Sequence, residues 1–206
     1  MALSNVEITK ALKDGRLKID PAPGPQPGSA ETPYDTTSVD LRLGHEVAVV
    51  KDQQPISIDL RKRKFADLLS DNNTETYEIS EAQPFTLSPN KFVLAKTLET
   101  VELPILDGGR SLCARVEGKS GYARCGMLVH FTAPTIHAGF KGTITLEIIN
   151  LGAINILLYP EMYICQLILD TVVGAKPISK ESQFHGQTRP GGQRGGAAAR
   201  KKKTTD

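Results

Sequence analysis

Residues 116–147, VEGKSGYARCGMLVHFTAPTIHAGFKGTITLE, set a polar, glycine-hinged loop against a strand that carries one acid. Thr143-Ile144-Thr145-Leu146-Glu147-Ile148 alternates with a period of two, so Ile144, Leu146 and Ile148 share one face and Thr143, Thr145 and Glu147 the other. A lone carboxylate beside apolar β-structure suits a general acid/base, and a nearby cation such as Arg124 would hold it ionised between proton transfers. One strand by itself does not separate this from a solvated glutamate on an exposed sheet face.

Outward from this stretch the pattern stays β. Residues 39–43, 47–50, 92–95, 111–116, 143–149, 154–158 and 163–169 read as short strands separated by turn residues, which predicts a mainly β sandwich or jelly-roll-like barrel. Before them, Ser4-Asn5-Val6-Glu7 has the form of a capping box, Leu3 can staple onto Ile8, and Gly15 is a natural stop, so a short N-terminal surface helix is expected. Residues 21–28, PAPGPQPG, cannot continue a helix or a central strand and are expected to run as an exposed loop. Residues 65–69 are expected to form a short helical insertion.

At 206 residues the chain fits one domain with a real core. Its formal charge of +2 conceals an asymmetry: residues 188–206 hold six cations against Asp206, a local charge of +5, which leaves −3 for residues 1–187. That tail, rich in Gly and Ala, is expected to be disordered, and its lysines to be a solubilising extension more than a nucleic-acid contact. No run approaches a membrane span and the first residues do not read as a signal segment, so a cytoplasmic protein is expected. The three cysteines, Cys113, Cys125 and Cys165, lack C-x-x-C spacing and read as reduced, mostly packed thiols. The H-x-E and P-C-x-x-C segments of zinc deaminases are missing from the sequence, so any deamination is expected to proceed without zinc.

Four segments of the opening stretch carry a resemblance: Gly118-Lys119-Ser120-Gly121-Tyr122-Ala123-Arg124, Leu128-Val129-His130-Phe131-Thr132-Ala133, Ile136-His137-Ala138-Gly139-Phe140-Lys141-Gly142 and Thr145-Leu146-Glu147. In order and spacing they resemble the dCTP deaminase branch of the trimeric dUTPase-like superfamily, whose members carry G-R-S-S-x-A-R, M-V-H-x-T-A, I-D-P-G-[WF]-x-G and a strand ending T-L-E. Asp14-Gly15-Arg16-Leu17, the run TSVDLRLG at 37–44, Leu98-Glu99 and Gln166-Leu167 extend the resemblance over about residues 1–187, with 188–206 as a basic tail. It implies a dUTPase-like distorted jelly-roll or β-barrel with a short N-terminal helix. It also implies a homotrimer with active sites between subunits, a deoxynucleoside triphosphate substrate carried with Mg2+, and hydrolytic deamination of dCTP to dUTP and ammonia.

By the same resemblance Glu147 shuttles protons, Arg124 and Ser120 support it, and the backbone carbonyl of Ala133 positions the water. Lys119, Ser120 and Gly121 sit where the family binds phosphates, with Tyr122, Ala123 and Arg124 of the same loop also substrate-binding, although Lys119 and Gly121 stand where the family usually has arginine and serine. Phe140 takes the place of the aromatic against deoxyribose, Thr145 and Leu146 before Glu147 are substrate-binding, and Gln166 lines the nucleotide site. Read without the resemblance, Arg124 is a plain ion-pair partner, residues 118–121 a solvated turn, Phe140 a core aromatic, and His130 a structural histidine. His137 replaces the aspartate that triphosphate-hydrolysing relatives keep, which argues against pyrophosphate release. The C-terminal lid, S-K-Y-Q-G-Q in the family, reads Ser182-Gln183-Phe184-His185-Gly186-Gln187 here, so Gln187 is kept while Gln183 replaces the lysine. A pyrophosphatase acting on dUTP or dCTP, and a non-catalytic nucleotide sensor on the same scaffold, are the alternatives.

Overall fold

The computed structural model describes residues 1–51, 61, 73–178 and 186–191. The helical insertion expected at 65–69, and Gln183 and Phe184 of the lid segment, lie outside the described residues. Helix α1 (Asn5–Lys13) begins where Ser4 Oγ accepts the Glu7 N–H at 3.3 Å. Glu7 in its first turn and Lys10 and Lys13 in its last complement the helix dipole. Ile8 and Ala11 are its buried face, and the chain leaves through Gly15 at φ +70°.

Eleven strands follow among the described residues: β1 (Lys18–Asp20), β2 (Val39–Val50), β3 (Thr74–Glu78), β4 (Phe85–Leu87), β5 (Phe92–Glu102), β6 (Leu112–Gly118), β7 (Met127–Val129), β8 (Thr135–Ile136), β9 (Lys141–Asn150), β10 (Ile156–Leu158) and β11 (Tyr163–Thr171). A second helix, α2 (Ser120–Arg124), stands between β6 and β7. The main sheet runs β7-β9-β5-β2-β11-β6-β8, with β1 added to β5 and β3 to β2, while β4 and β10 form a separate pair. The mainly β architecture agrees with the periodicity. The strands expected at 39–43 and 47–50 are one strand, because β2 changes partner halfway. Its first part pairs with β11 through Val39, Asp40 and Leu41, and from Leu43 onward it pairs with β5.

The change of partner falls beside Gly44, where a Cβ would lie 3.1 Å from the Lys96 carbonyl oxygen, so a side chain there would press β5 outward by a few tenths of an ångström. The sheet curls around one core to which α1 contributes Ile8, β2 Leu41, β6 Val116, β9 Leu146 and β11 Leu167. The alternation in β9 holds from Ile144 to Ile148: Ile144, Leu146 and Ile148 are 0–1% exposed and Thr145 and Glu147 half-buried on the opposite face, whereas Thr143, expected on that outward face, is buried where Gln187 docks on it. Among the described residues no helix is long and apolar enough to cross a membrane.

One charged row ties three strands. Glu102 on β5 is register-paired with Lys18 on β1 and Lys141 on β9, and its two oxygens lie 3.0 and 3.1 Å from their ammonium groups. Hydrogen bonds to Lys18 and Lys141 lower the Glu102 pKa. A carboxyl depressed on folding stabilises above its unfolded pKa, and that stability is lost as pH falls through the lower folded value. Glu102→Gln is therefore expected to destabilise the protein at neutral pH and to flatten the acid arm of a plot of urea midpoint against pH. An acid arm unchanged by the substitution would show that the row contributes nothing.

Candidate active site

Strand β7 brings the first part of the site together. Its Val129 pairs with Ile148 of β9, so the next residue, His130, arrives beside Glu147. The His130 N–H donates to the Glu147 carbonyl at 2.8 Å, and the residue then turns at φ +55°. Its ring is 7% exposed, and Nδ1 approaches Glu147 Oε2 to 2.6 Å. The two atoms are at ion-pair distance without the alignment of a formed hydrogen bond, and among the described residues neither has another partner. His130 Nε2 and Thr145 Oγ1 are likewise buried without a hydrogen-bond partner. Folded proteins satisfy the large majority of such atoms, so several orphans on and beside one strand face mark a surface built for something other than its own chain.

The second part lies at the end of β6. The segment read as a turn is a one-turn helix, α2, capped at Lys119 without a side-chain bond. Lys119 forms an ion pair with Asp40 of β2, whose Oδ1 is a fifth buried polar atom lacking a hydrogen-bond partner among the described residues. Asp40 is register-paired with Gln166 of β11, and Gln166 with Glu117 of β6, so the three form a polar row on the face away from the core. Ser120, Gly121, Ala123 and Arg124 are exposed, while Tyr122 packs on the core. Among the described residues no ion pair joins Arg124 to Glu147, whose carboxylate faces the ring of His130 instead.

The remaining candidates are spread around these two parts. Ala133 is exposed in the loop between β7 and β8, and His137 is exposed in the turn before β9, where the Phe140 N–H donates to its carbonyl at 3.1 Å. Phe140 is half-buried and packs against the core. Leu146 is 0% exposed, so only its backbone faces outward. Gln187 is docked on the edge of β9: its backbone carbonyl accepts the Thr143 N–H at 3.1 Å and its side-chain amide donates to the Thr143 carbonyl at 2.8 Å. Gly142, at φ +146°, makes room for it, since a Cβ there would lie 2.8 Å from the Gln187 oxygen. The Lys96 ammonium donates to the Thr188 carbonyl at 2.8 Å, holding the same segment.

Sequence reasoning gave two neighbours no role in the site, naming Asp40 only within the run at 37–44 and reading His130 as a structural histidine. Asp40 was legible in part, because Val39, Leu41 and Leu43 alternate inward and turn Asp40 to the other face. His130 was not, since its approach to Glu147 depends on the register of β7 against β9. The thiols carry no part of this geometry: Cys165 is buried, and burial pushes its pKa upward. Among the described residues no three His, Cys, Asp or Glu side chains converge as a metal site.

Comparison with known proteins places the chain in a family. The dCTP deaminase-like family model matches residues 2–172. The "dCTP deaminase, dUMP-forming" of Dictyoglomus turgidum is 39% identical over 194 residues, covering 92% of each chain. The protein of the same name from Methanosphaera stadtmanae is 36% identical over 197 residues, covering 91% of this chain and 90% of that one. The crystal structure of 2'-deoxycytidine 5'-triphosphate deaminase from Agrobacterium tumefaciens matches with a TM-score of 0.58 at 19% identity, over 82% of this chain and 47% of that chain, a likeness of fold. With the family model matching residues 2–172 and relatives 36–39% identical over about nine-tenths of its length, this chain belongs to the dCTP deaminase-like family.

Proposed function

We propose that the protein hydrolyses the 4-amino group of dCTP, with Glu147 as the proton shuttle. The observation that carries this reading is the outer face of β9, where Thr145 Oγ1 is buried with no hydrogen-bond partner among the described residues and the Glu147 carboxylate stays partly open beside the ring of His130. Water adds to C4 of cytosine while Glu147 takes its proton and passes it to N3. The new hydroxyl then loses its proton through Glu147 to the amino group, the C4–N bond breaks, and ammonia leaves a C4 carbonyl. A single carboxylate held beside the ring suffices for both transfers.

The other residues take the roles that the family pattern gives them. The Ala133 carbonyl positions the water, and the outward backbone of Thr145 and Leu146 meets the base. Phe140 and His137 meet the sugar, and Gln166 lines the nucleotide. Lys119, Ser120, Gly121, Tyr122 and Ala123 surround the phosphates, with Mg2+ carried by the triphosphate, and Gln183 and Gln187 belong to the closing segment. Arg124 and Ser120 are exposed and apart from their own Glu147, which supports a homotrimer in which α2 completes a neighbour's pocket. Incubation of the purified protein with dCTP and Mg2+, followed by anion-exchange separation, tests the reading: loss of dCTP with stoichiometric ammonia is expected, and unchanged dCTP overturns it.

His137 favours a reaction that ends at dUTP, because imidazole does not reproduce the fixed negative charge of the aspartate that would activate a second water. The names of the two relatives favour a second reading, in which pyrophosphate is also released and dUMP is the product. If the reaction ends at dUTP, His137→Asp is expected to raise pyrophosphate release by about 10²-fold, the lower range for a positioned general base. Wild-type protein that already yields dUMP establishes the second reading.

A further inference from the structure

His130 and Glu147 are joined twice. The backbone N–H of one meets the carbonyl of the other at 2.8 Å, and the ring Nδ1 lies 2.6 Å from carboxylate Oε2. The left-handed turn at φ +55° follows directly on β7 and aims the ring back at the neighbouring strand. Such a conformation is uncommon for a residue other than glycine and persists where the surrounding structure enforces it. Oε2 is buried although the Glu147 side chain as a whole keeps 31% of its exposure, so the ring covers one carboxylate oxygen and leaves the group open elsewhere. Among the described residues neither Nδ1 nor Oε2 has a competing partner, so a small rotation of either group completes a hydrogen bond between them.

From this geometry we infer that His130 is a positioning residue for deamination: its Nδ1–H donates to Oε2 and fixes the carboxylate plane, so that Oε1 is the oxygen that handles the protons. A base oriented by a third group is a recurring device of proton-transfer sites, and here the second group is supplied by strand register. The inference rests on the role assigned to Glu147 above. It does not require His130 to touch the nucleotide.

Two substitutions separate orientation from folding. Both glycine and asparagine accept a positive φ, but only asparagine restores an N–H near the position of Nδ1. His130→Gly is expected to lower kcat for dCTP by about 10²-fold, the effect of misplacing a reacting group by about an ångström, with KM and thermal midpoint nearly unchanged. His130→Asn is expected to recover at least about tenfold of that loss. The inference is overturned if His130→Gly retains kcat, if only KM rises, or if both variants lose activity equally. Glu147→Gln assayed in parallel keeps the two readings apart. Activity surviving that change defeats the role of Glu147, whereas activity lost there but kept in His130→Gly defeats the role of His130 alone.

Discussion

Glu147→Gln is expected to reduce kcat for dCTP deamination by about 10²–10⁴-fold, the usual worth of a general acid/base, while KM changes little. The amide has nearly the shape of the carboxylate and keeps an oxygen for contact with the ring of His130, but it cannot take a proton from water and return it to N3 or to the leaving amine. Folding should survive the change. Glu147 is half-buried and lies on the outer face of β9, whereas the core-facing Ile144, Leu146 and Ile148 are untouched. The substitution also removes a charge from beside a buried atom without a partner, which lowers the cost of desolvation. The check is steady-state ammonia release together with a thermal melt of the same preparation. A variant within about tenfold of wild-type kcat would place the proton shuttle elsewhere, because so small an effect is below the range of general acid/base catalysis.

The largest expected effect on stability is at Glu99, a carboxylate only 2% exposed. One of its oxygens accepts the Arg42 Nε–H at 2.7 Å and the other the Arg42 backbone N–H at 2.9 Å. Its own carbonyl accepts the Thr97 hydroxyl at 2.7 Å, and that hydroxyl oxygen accepts the Ile144 N–H at 2.9 Å. The group thus joins β2, β5 and β9 where β2 changes partner and β5 shifts register. The side-chain bond to Glu99 is the largest cause raising the Arg42 pKa.

Removing one partner of a buried pair leaves the other uncompensated, at a cost of about 3–5 kcal/mol. Glu99→Ala is expected near the low end, about 3 kcal/mol, because Arg42 keeps Glu161 at 3.2 Å and is partly open to water. Urea denaturation at a fixed protein concentration measures it, with concentration held constant because assembly would contribute to the midpoint. Replacing Arg42 and Glu99 together by Met and Leu is expected to recover most of the loss, since a buried ion pair often does no better than an apolar pair of similar volume. A double variant no more stable than Glu99→Ala would show that the backbone contacts of Glu99, and not charge pairing, carry the effect.

The strand pattern, the helix cap at Ser4 and the outward placement of Glu147 were legible because each depends on residues close in sequence. Alternation fixes which face of β9 is buried whatever lies beside it. The same locality explains the errors of detail. The loop at 118–124 contains glycines that suggest a turn, yet Ser120–Arg124 closes a helical turn against β7. Residues 39–50 look like two strands because Gly44 interrupts the apolar pattern, whereas one strand changes partner beside the glycine.

By itself, the sequence determined a mainly β chain with one outward carboxylate on a buried-face strand and the ordered motifs that mark its family. Tertiary structure alone decided that His130 stands against Glu147, that Lys119 is neutralised by Asp40, that Gln187 caps the edge of β9, and that Arg124 does not reach its own Glu147. The physical reason is separation along the chain. Periodicity is a property of neighbours, but a contact between residues 17 or 79 positions apart exists only once strand register has been fixed by burial of the apolar face.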